Sequence, residues 1–143
     1  MTAQSTKALA GLKVVELDHI VLRVKDVERA IEFYTGVLGL APHRVEEYRA
    51  GKVPFPCARI NDGTIIDLKP TPDQEPVGDG PRNLDHYCLV VEPTDMDALA
   101  DGLRARGVTV VSDETGQRSG ARGTATSIYI KDSEGNTIEL RHY

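Results

Sequence analysis

The stretch LDHIVLRVKD at residues 17–26 returns, almost in kind, as LDHYCLVVEP at residues 84–93. Each copy gives Leu-Asp-His, an apolar run of strand character (IVLRV, YCLVV) and then the start of a helical pattern. His19 and His86 stand 67 residues apart. Self-similarity at that spacing in a 143-residue chain points to two half-size modules that share one core.

Outward from the first copy, Asp26 can cap VERAIEFYTGVL, where Val27, Ala30, Ile31, Tyr34 and Leu38 fall at helical spacing before a stop at Gly39. From the second, Thr94 and Asp97 form a capping-box-like pair ahead of MDALADGLRARG, with Leu99 and Leu103 four apart and a stop at Gly107. Strands are expected next. The first half offers HRVEEY, a loop GKVPFP, CARIN, a turn at Asp62-Gly63 and TIIDLK. The second offers VTVVS, a loop GQRSGARG, TSIYIK, a turn at Glu134-Gly135-Asn136 and TIELR. Each half therefore reads β-α-β-β-β, with PTPDQEPVGDGPRN (70–83) as a Pro- and Gly-rich linker. The expected organisation is a tail over 1–14, a first module over 15–69, the linker over 70–83 and a second module over 84–143.

Composition narrows the partners. A net charge of −5 argues against affinity for nucleic-acid phosphates or an anionic membrane, and leaves small molecules or proteins. No run approaches a membrane span or a signal-peptide core, so a soluble cytoplasmic protein is expected. Cys57 and Cys88 form no CxxC pair and read as small apolar residues.

Side chains alternate across a strand, so each strand divides into two faces. Ile20, Leu22, Val24, Ile66, Leu68, Ile128, Ile130, Ile138 and Leu140 make an aliphatic set on one side. His19, Val21, Arg23, Asp67, Lys69, Ser127, Tyr129, Lys131, Glu139 and Arg141 fall on the other. Lys69, Lys131 and Arg141 read as solvated charges. Asp67 and Glu139 differ, because each sits between aliphatic neighbours in a closing strand, where an unpartnered carboxylate is costly to bury. Two imidazoles and two carboxylates at equivalent places in a duplicated plan suit a divalent cation such as Zn, Ni, Co, Mn or Fe(II).

These segments, with SIYIKDSEGNTIEL near the end, resemble the vicinal oxygen chelate superfamily over about residues 15–143. That superfamily includes glyoxalase I, fosfomycin-inactivating thiol transferases, extradiol dioxygenases and bleomycin-binding proteins. The resemblance implies an α+β fold in which two tandem βαβββ modules form a cupped mixed sheet with helices on the convex side. It also implies one divalent metal per site, held by His19, Asp67, His86 and Glu139. The first-module carboxylate is usually Glu in glyoxalase-I-like members and is Asp67 here, one methylene shorter, so a His19, His86 and Glu139 triad is the fallback. The expected function is a metal-dependent lyase, isomerase or transferase of glyoxalase type, acting on a small anionic substrate that chelates through neighbouring oxygens. Glu139 is the candidate base, with Asp67 as deputy.

By the same resemblance, Arg23 and Arg82 are candidates to hold substrate carboxylates, although Thr71 replaces the Asn expected of a glutathione site. Ser127 and Tyr129 match hydroxyl positions of the fosfomycin enzymes, which would bring a thiol cosubstrate, although Val21 replaces the Thr usual there. The loop Gly116 to Gly123 is a candidate lid that could supply Arg118 or Arg122 to an anion. Alternatives are a fosfomycin-type thiol transferase, an Fe(II) extradiol-type dioxygenase using Tyr129, with His43, Tyr48, Tyr87 and His142 unplaced, and a metal-free antibiotic-binding protein. Two Phe and no Trp count against the last. Small relatives pair as homodimers, and each site would then join His19 and Asp67 of one chain to His86 and Glu139 of the other.

Overall fold

A computed structural model describes residue 7, residues 9–111 and residues 115–143. The first half contains β1 (His19–Val24), α1 (Val27–Ile31), β2 (Ala41–His43), α2 (Val45–Arg49), β3 (Cys57–Asn61) and β4 (Thr64–Pro70). The second contains β5 (Tyr87–Val90), α3 (Met96–Ala105), β6 (Gly116–Arg118), β7 (Ala125–Lys131) and β8 (Thr137–Arg141). They build two four-stranded sheets of the same plan, β1-β4-β3-β2 and β5-β8-β7-β6. In each, the opening strand pairs parallel with the closing strand and the other pairings are antiparallel. This is an α+β fold, and β1 and β5 are edge strands.

The strand faces fall as the alternation predicts. Leu22, Val24, Ile66, Leu68, Ile128, Ile130, Ile138 and Leu140 are buried in one apolar cluster drawn from both halves. Burying each such side chain is worth about 1.5–3 kcal/mol. Tyr34 also ties the halves together: its hydroxyl donates to Asp132 Oδ2 at 2.6 Å and lies 2.6 Å from the Tyr87 hydroxyl. Asp132 in turn accepts from the Glu134 and Asn136 backbone in the β7–β8 turn.

The Asp26 carboxylate caps α1 by accepting from Arg29 N. The helix then widens into a π-helical segment, Glu32–Val37, and stops at Gly39, whose φ of +72° suits a residue without Cβ. Gly107, at φ +80°, ends α3 as expected.

Four local expectations need correction. HRVEEY is not a strand: β2 ends at His43, Arg44 turns left-handed at φ +58°, and residues 45–49 form α2. Charge favours that helix, with Glu46 and Glu47 in its first turn and Arg49 bonded to Glu28 and Glu46. The α3 cap is Asp95, whose Oδ1 accepts from Asp97 N and Ala98 N, and not the Thr94–Asp97 pair. VTVVS contributes a single bridge, Val110 with Ile130, and its Ser112 lies outside the described residues. The fourth strand of the second sheet is instead Gly116–Arg118, inside the segment read as a loop. Among the described residues no helix is long and apolar enough to cross a membrane.

Candidate functional site

His19 opens β1 and His86 immediately precedes β5, so duplication sets both imidazoles at the start of an edge strand. Asp18 and Asp85 lie just before the strands, where strand parity no longer applies. Each carboxylate is exposed and reaches the neighbouring ring. His19 Nδ1 is 2.6 Å from Asp18 Oδ2, and His86 Nδ1 is 2.6 Å from Asp85 Oδ2. The bond to Asp18 is the main cause raising the His19 pKa, opposed by desolvation, with the Asp67 and Asp18 charges adding to the rise. The bond to His86 is the main cause lowering that of Asp85. A carboxylate on Nδ1 fixes ring orientation and tautomer and leaves Nε2 as the outward nitrogen, which is how metal-binding histidines are commonly buttressed.

Beside His19, Asp67 pairs with Val21 and Cys57 across β4 and is 6% exposed. Its Oδ1 is buried without a hydrogen-bond partner. The Cys57 thiol bonds to Asp67, and burial first, then this bond and the Asp67 charge, push the thiol up to about 12. Cys57 is therefore a neutral donor beside a carboxylate. An orphaned buried oxygen of this kind suits a cation.

Beside His86, Glu139 is 4% exposed, and its Oε1 lies 3.2 Å from His86 Nε2. Two ligands at roughly 2.0–2.2 Å from one ion at a right angle lie about 3 Å apart, so this pair also suits a cation. The other oxygen, Oε2, accepts from Arg141 Nη2 at 2.7 Å. Burial pushes the Glu139 carboxyl up, but hydrogen bonds from Arg141 and Ser127 outweigh it and hold the group below its ordinary range.

Arg141 is not the solvated charge expected of it. At 2% exposed, it also donates to Ser119 O at 2.8 Å, Arg118 O at 3.2 Å and the Tyr143 hydroxyl at 3.2 Å. Its position beside a buried carboxylate on the same strand face was the available signal.

The other expected contacts separate. Tyr129 stands edge-on to His86, with ring centroids 5.2 Å apart, and Arg118 lies over the Tyr129 ring at 4.8 Å. Ser127 is fully buried. Arg23 is exposed on the His19 face of β1. Arg82 donates to Gly78 O, Leu84 O and Thr137 Oγ1, and so fastens residues 78–84 to β8. Arg122 lies over Tyr143, 5.3 Å from its centroid. Cys88, read as a small apolar residue, is exposed and pairs with Glu139 across β8.

The chain brings His19 together with Asp67, and His86 with Glu139. It does not bring all four together: among the described residues no group of three or more His, Cys, Asp or Glu could hold a metal ion. Cavities of about 900 Å³, beside Lys25 and Pro70, and about 330 Å³, beside Leu38 and Leu99, include neither histidine. In each pair the carboxylate is buried and the imidazole is part-exposed.

Virulence protein STM3117 of Salmonella typhimurium is 30% identical over 128 residues, covering 89% of this chain and 83% of that protein. Its crystal structure superposes with a TM-score of 0.70 at 27% identity, over 92% and 99% of the two chains. A probable lactoylglutathione lyase of Vibrio cholerae is 30% identical over 125 residues, covering 85% of this chain and 86% of its own. A glyoxalase/dioxygenase from Nostoc punctiforme shares the fold, with a TM-score of 0.74 at 21% identity over 97% and 98% of the chains. The family model of the Glyoxalase/Bleomycin resistance protein/Dioxygenase superfamily matches residues 16–140, and the chain belongs to that superfamily.

Proposed function

We propose that this protein is a divalent-metal-dependent enzyme of glyoxalase type, with lyase, isomerase or transferase chemistry on a small anionic substrate that presents neighbouring oxygens. The observation that carries the reading is the duplicated buttress, a histidine with an Asp on Nδ1 beside a buried carboxylate, once in each half. His19 with Asp67 and His86 with Glu139 would hold the metal, drawn from Zn, Ni, Co, Mn or Fe(II). When bound, such an ion polarises substrate oxygens and stabilises the negative charge that develops on them.

The chain's own residues divide the remaining work. Glu139 Oε2 is engaged by Arg141, so Glu139 serves as a fixed ligand through Oε1. Asp67 Oδ1 has no such partner and is the better candidate to accept a substrate proton. The V. cholerae relative, a probable lactoylglutathione lyase, supports the glyoxalase type. Glutathione itself fits less well, because Thr71 donates to Lys69 O and Arg82 is taken up by residues 78–84.

The assembly follows from the split. Two ligand pairs that the single chain keeps apart, edge strands at β1 and β5, and exposed Leu9, Leu12, Val14, Val15 and Leu17 support a homodimer in which each site takes one half from each chain. The test uses His19→Ala and His86→Ala chains, alone and mixed after dissociation and refolding. Each variant alone should lose tight Co(II) binding. The mixture should regain about one quarter of wild-type sites, since half the dimers are mixed and each rebuilds one site. A mixture that regains none refutes shared sites, and wild-type protein that binds no divalent metal refutes the metal reading.

A further inference from the structure

We infer that Arg118 is the specificity-determining cation of the site and selects substrates that carry a second oxyanion, a carboxylate or phosphonate, beyond the oxygens that chelate the metal. The inference rests on the metal reading above and deepens it.

Three groups on one face of the second sheet stand in sequence. The Tyr129 ring meets His86 edge-on at 5.2 Å, and the Arg118 guanidinium lies over the same ring at 4.8 Å. Arg118 is thus one aromatic ring away from a metal-binding imidazole. Its backbone is fixed by β6, where Arg118 pairs with Ala125, two residues before Ser127 and four before Tyr129. Its side chain is held at one nitrogen, Nη1, which donates to Ser127 O at 2.6 Å and Ser127 Oγ at 3.0 Å. Neither Nε nor Nη2 makes a hydrogen bond to any described residue.

A guanidinium stacked on a ring and pinned at one nitrogen has lost most of its conformational freedom before any ligand arrives. It still presents the N–H groups that bind a carboxylate or phosphonate in fork geometry. The other arginines nearby are committed. Arg141 is bound to Glu139 and to loop carbonyls, and Arg82 is bound to residues 78–84 and Thr137. Arg122 lies against Tyr143, and Arg23, exposed on the edge strand β1, is anchored by no hydrogen bond to a described residue. Arg118 is the cation that is both ordered and available beside His86.

The test uses Co(II)-loaded full-length protein and chelators that share one hydroxamate head: acetohydroxamate, its carboxylate-bearing analogue succinic monohydroxamate, and phosphonoacetohydroxamate. Calorimetry should find one or both acid-bearing chelators bound at least about tenfold more tightly than acetohydroxamate. Arg118→Gln should erase that preference while leaving Co(II) stoichiometry and acetohydroxamate affinity unchanged. Arg118→Lys, which keeps the charge without the fork, should retain only part of it. The preferred acid distinguishes a carboxylate substrate from a phosphonate one. A preference that survives Arg118→Gln overturns the inference, as does an equal loss for all three chelators, which would mark Arg118 as structural. A wild-type protein that fails to load Co(II) overturns the underlying metal reading, and that is seen before any chelator is added.

Discussion

Replacing Arg141 with Met keeps most of the side chain's stem and removes its charge, which isolates what the guanidinium does. In the native protein Arg141 is 2% exposed and Glu139 4% exposed, 2.7 Å apart. Removing one partner leaves Glu139 buried without its main compensation, a loss of about 3–5 kcal/mol in comparable pairs. The carbonyls of Arg118, Ser119 and Gly123 also lose a donor, but Ser119 and Gly123 are exposed and water can replace it. The pair itself should therefore dominate. Urea denaturation of metal-free protein measures the loss as a lower midpoint at unchanged slope. Adding Glu139→Gln to Arg141→Met removes the stranded charge, and the double variant should recover most of the loss, a large coupling in the double-mutant cycle. A single-variant cost below about 1 kcal/mol would refute the argument, as would a double variant no more stable than Arg141→Met, since a buried charge cannot lose its partner so cheaply.

Three further outcomes are expected. Tyr34→Phe removes the donor to Asp132 and the neighbour of the Tyr87 hydroxyl, and should cost about 2–4 kcal/mol by urea melt. A cost near zero would remove this network as a tie between the halves. Because Glu139 is held below its ordinary range when folded, its contribution is complete above the unfolded glutamate pKa of about 4.3 and is lost as pH falls through the folded value. Glu139→Gln should therefore flatten the acid limb of the stability–pH curve, and an unchanged limb would contradict the assignment. Cys88 should alkylate with iodoacetamide in the native state while Cys57 waits for unfolding, read by mass spectrometry, because Cys57 is buried with its thiol pushed up to about 12. Equal rates would contradict the burial of Cys57.

What was legible in the sequence was whatever a period or a repeat could carry. The aliphatic faces of β1, β4, β7 and β8 follow from alternation, and the positions of His19, Asp67, His86 and Glu139 follow from duplication. The short elements were not legible. Residues 45–49 make barely one helical turn, too short for a 3.6-residue period to declare itself, and were settled by the turn at Arg44 and the ion pairs of Arg49. Gly116–Arg118 became a strand because β7 offered an unpaired edge, a tertiary cause that composition cannot reveal. Arg141 was misread for a related reason. Its strand face was assigned correctly, but the loop at Ser119–Gly123 covers that face, and the cover is contributed by residues far along the chain.

Duplication also shows where the two halves have diverged, and the divergence bears on mechanism. Asp67 and Glu139 occupy the same place in their sheets, and the residues across from them, Cys57 and Tyr129, are likewise equivalent. Around Glu139 the chain has placed a guanidinium and a buried hydroxyl, which favour a permanent anion. Around Asp67 it has placed a neutral thiol and left one oxygen without a partner. In the proposed site these environments suit the two carboxylates to different tasks, Glu139 with both oxygens engaged to a fixed position and Asp67 with one unpartnered oxygen to contact with the substrate. The shorter side chain of Asp67 serves the same division. In that proposal Asp67 would keep an oxygen available to the substrate, whereas Glu139, fixed from behind by Arg141, would serve as a ligand through Oε1.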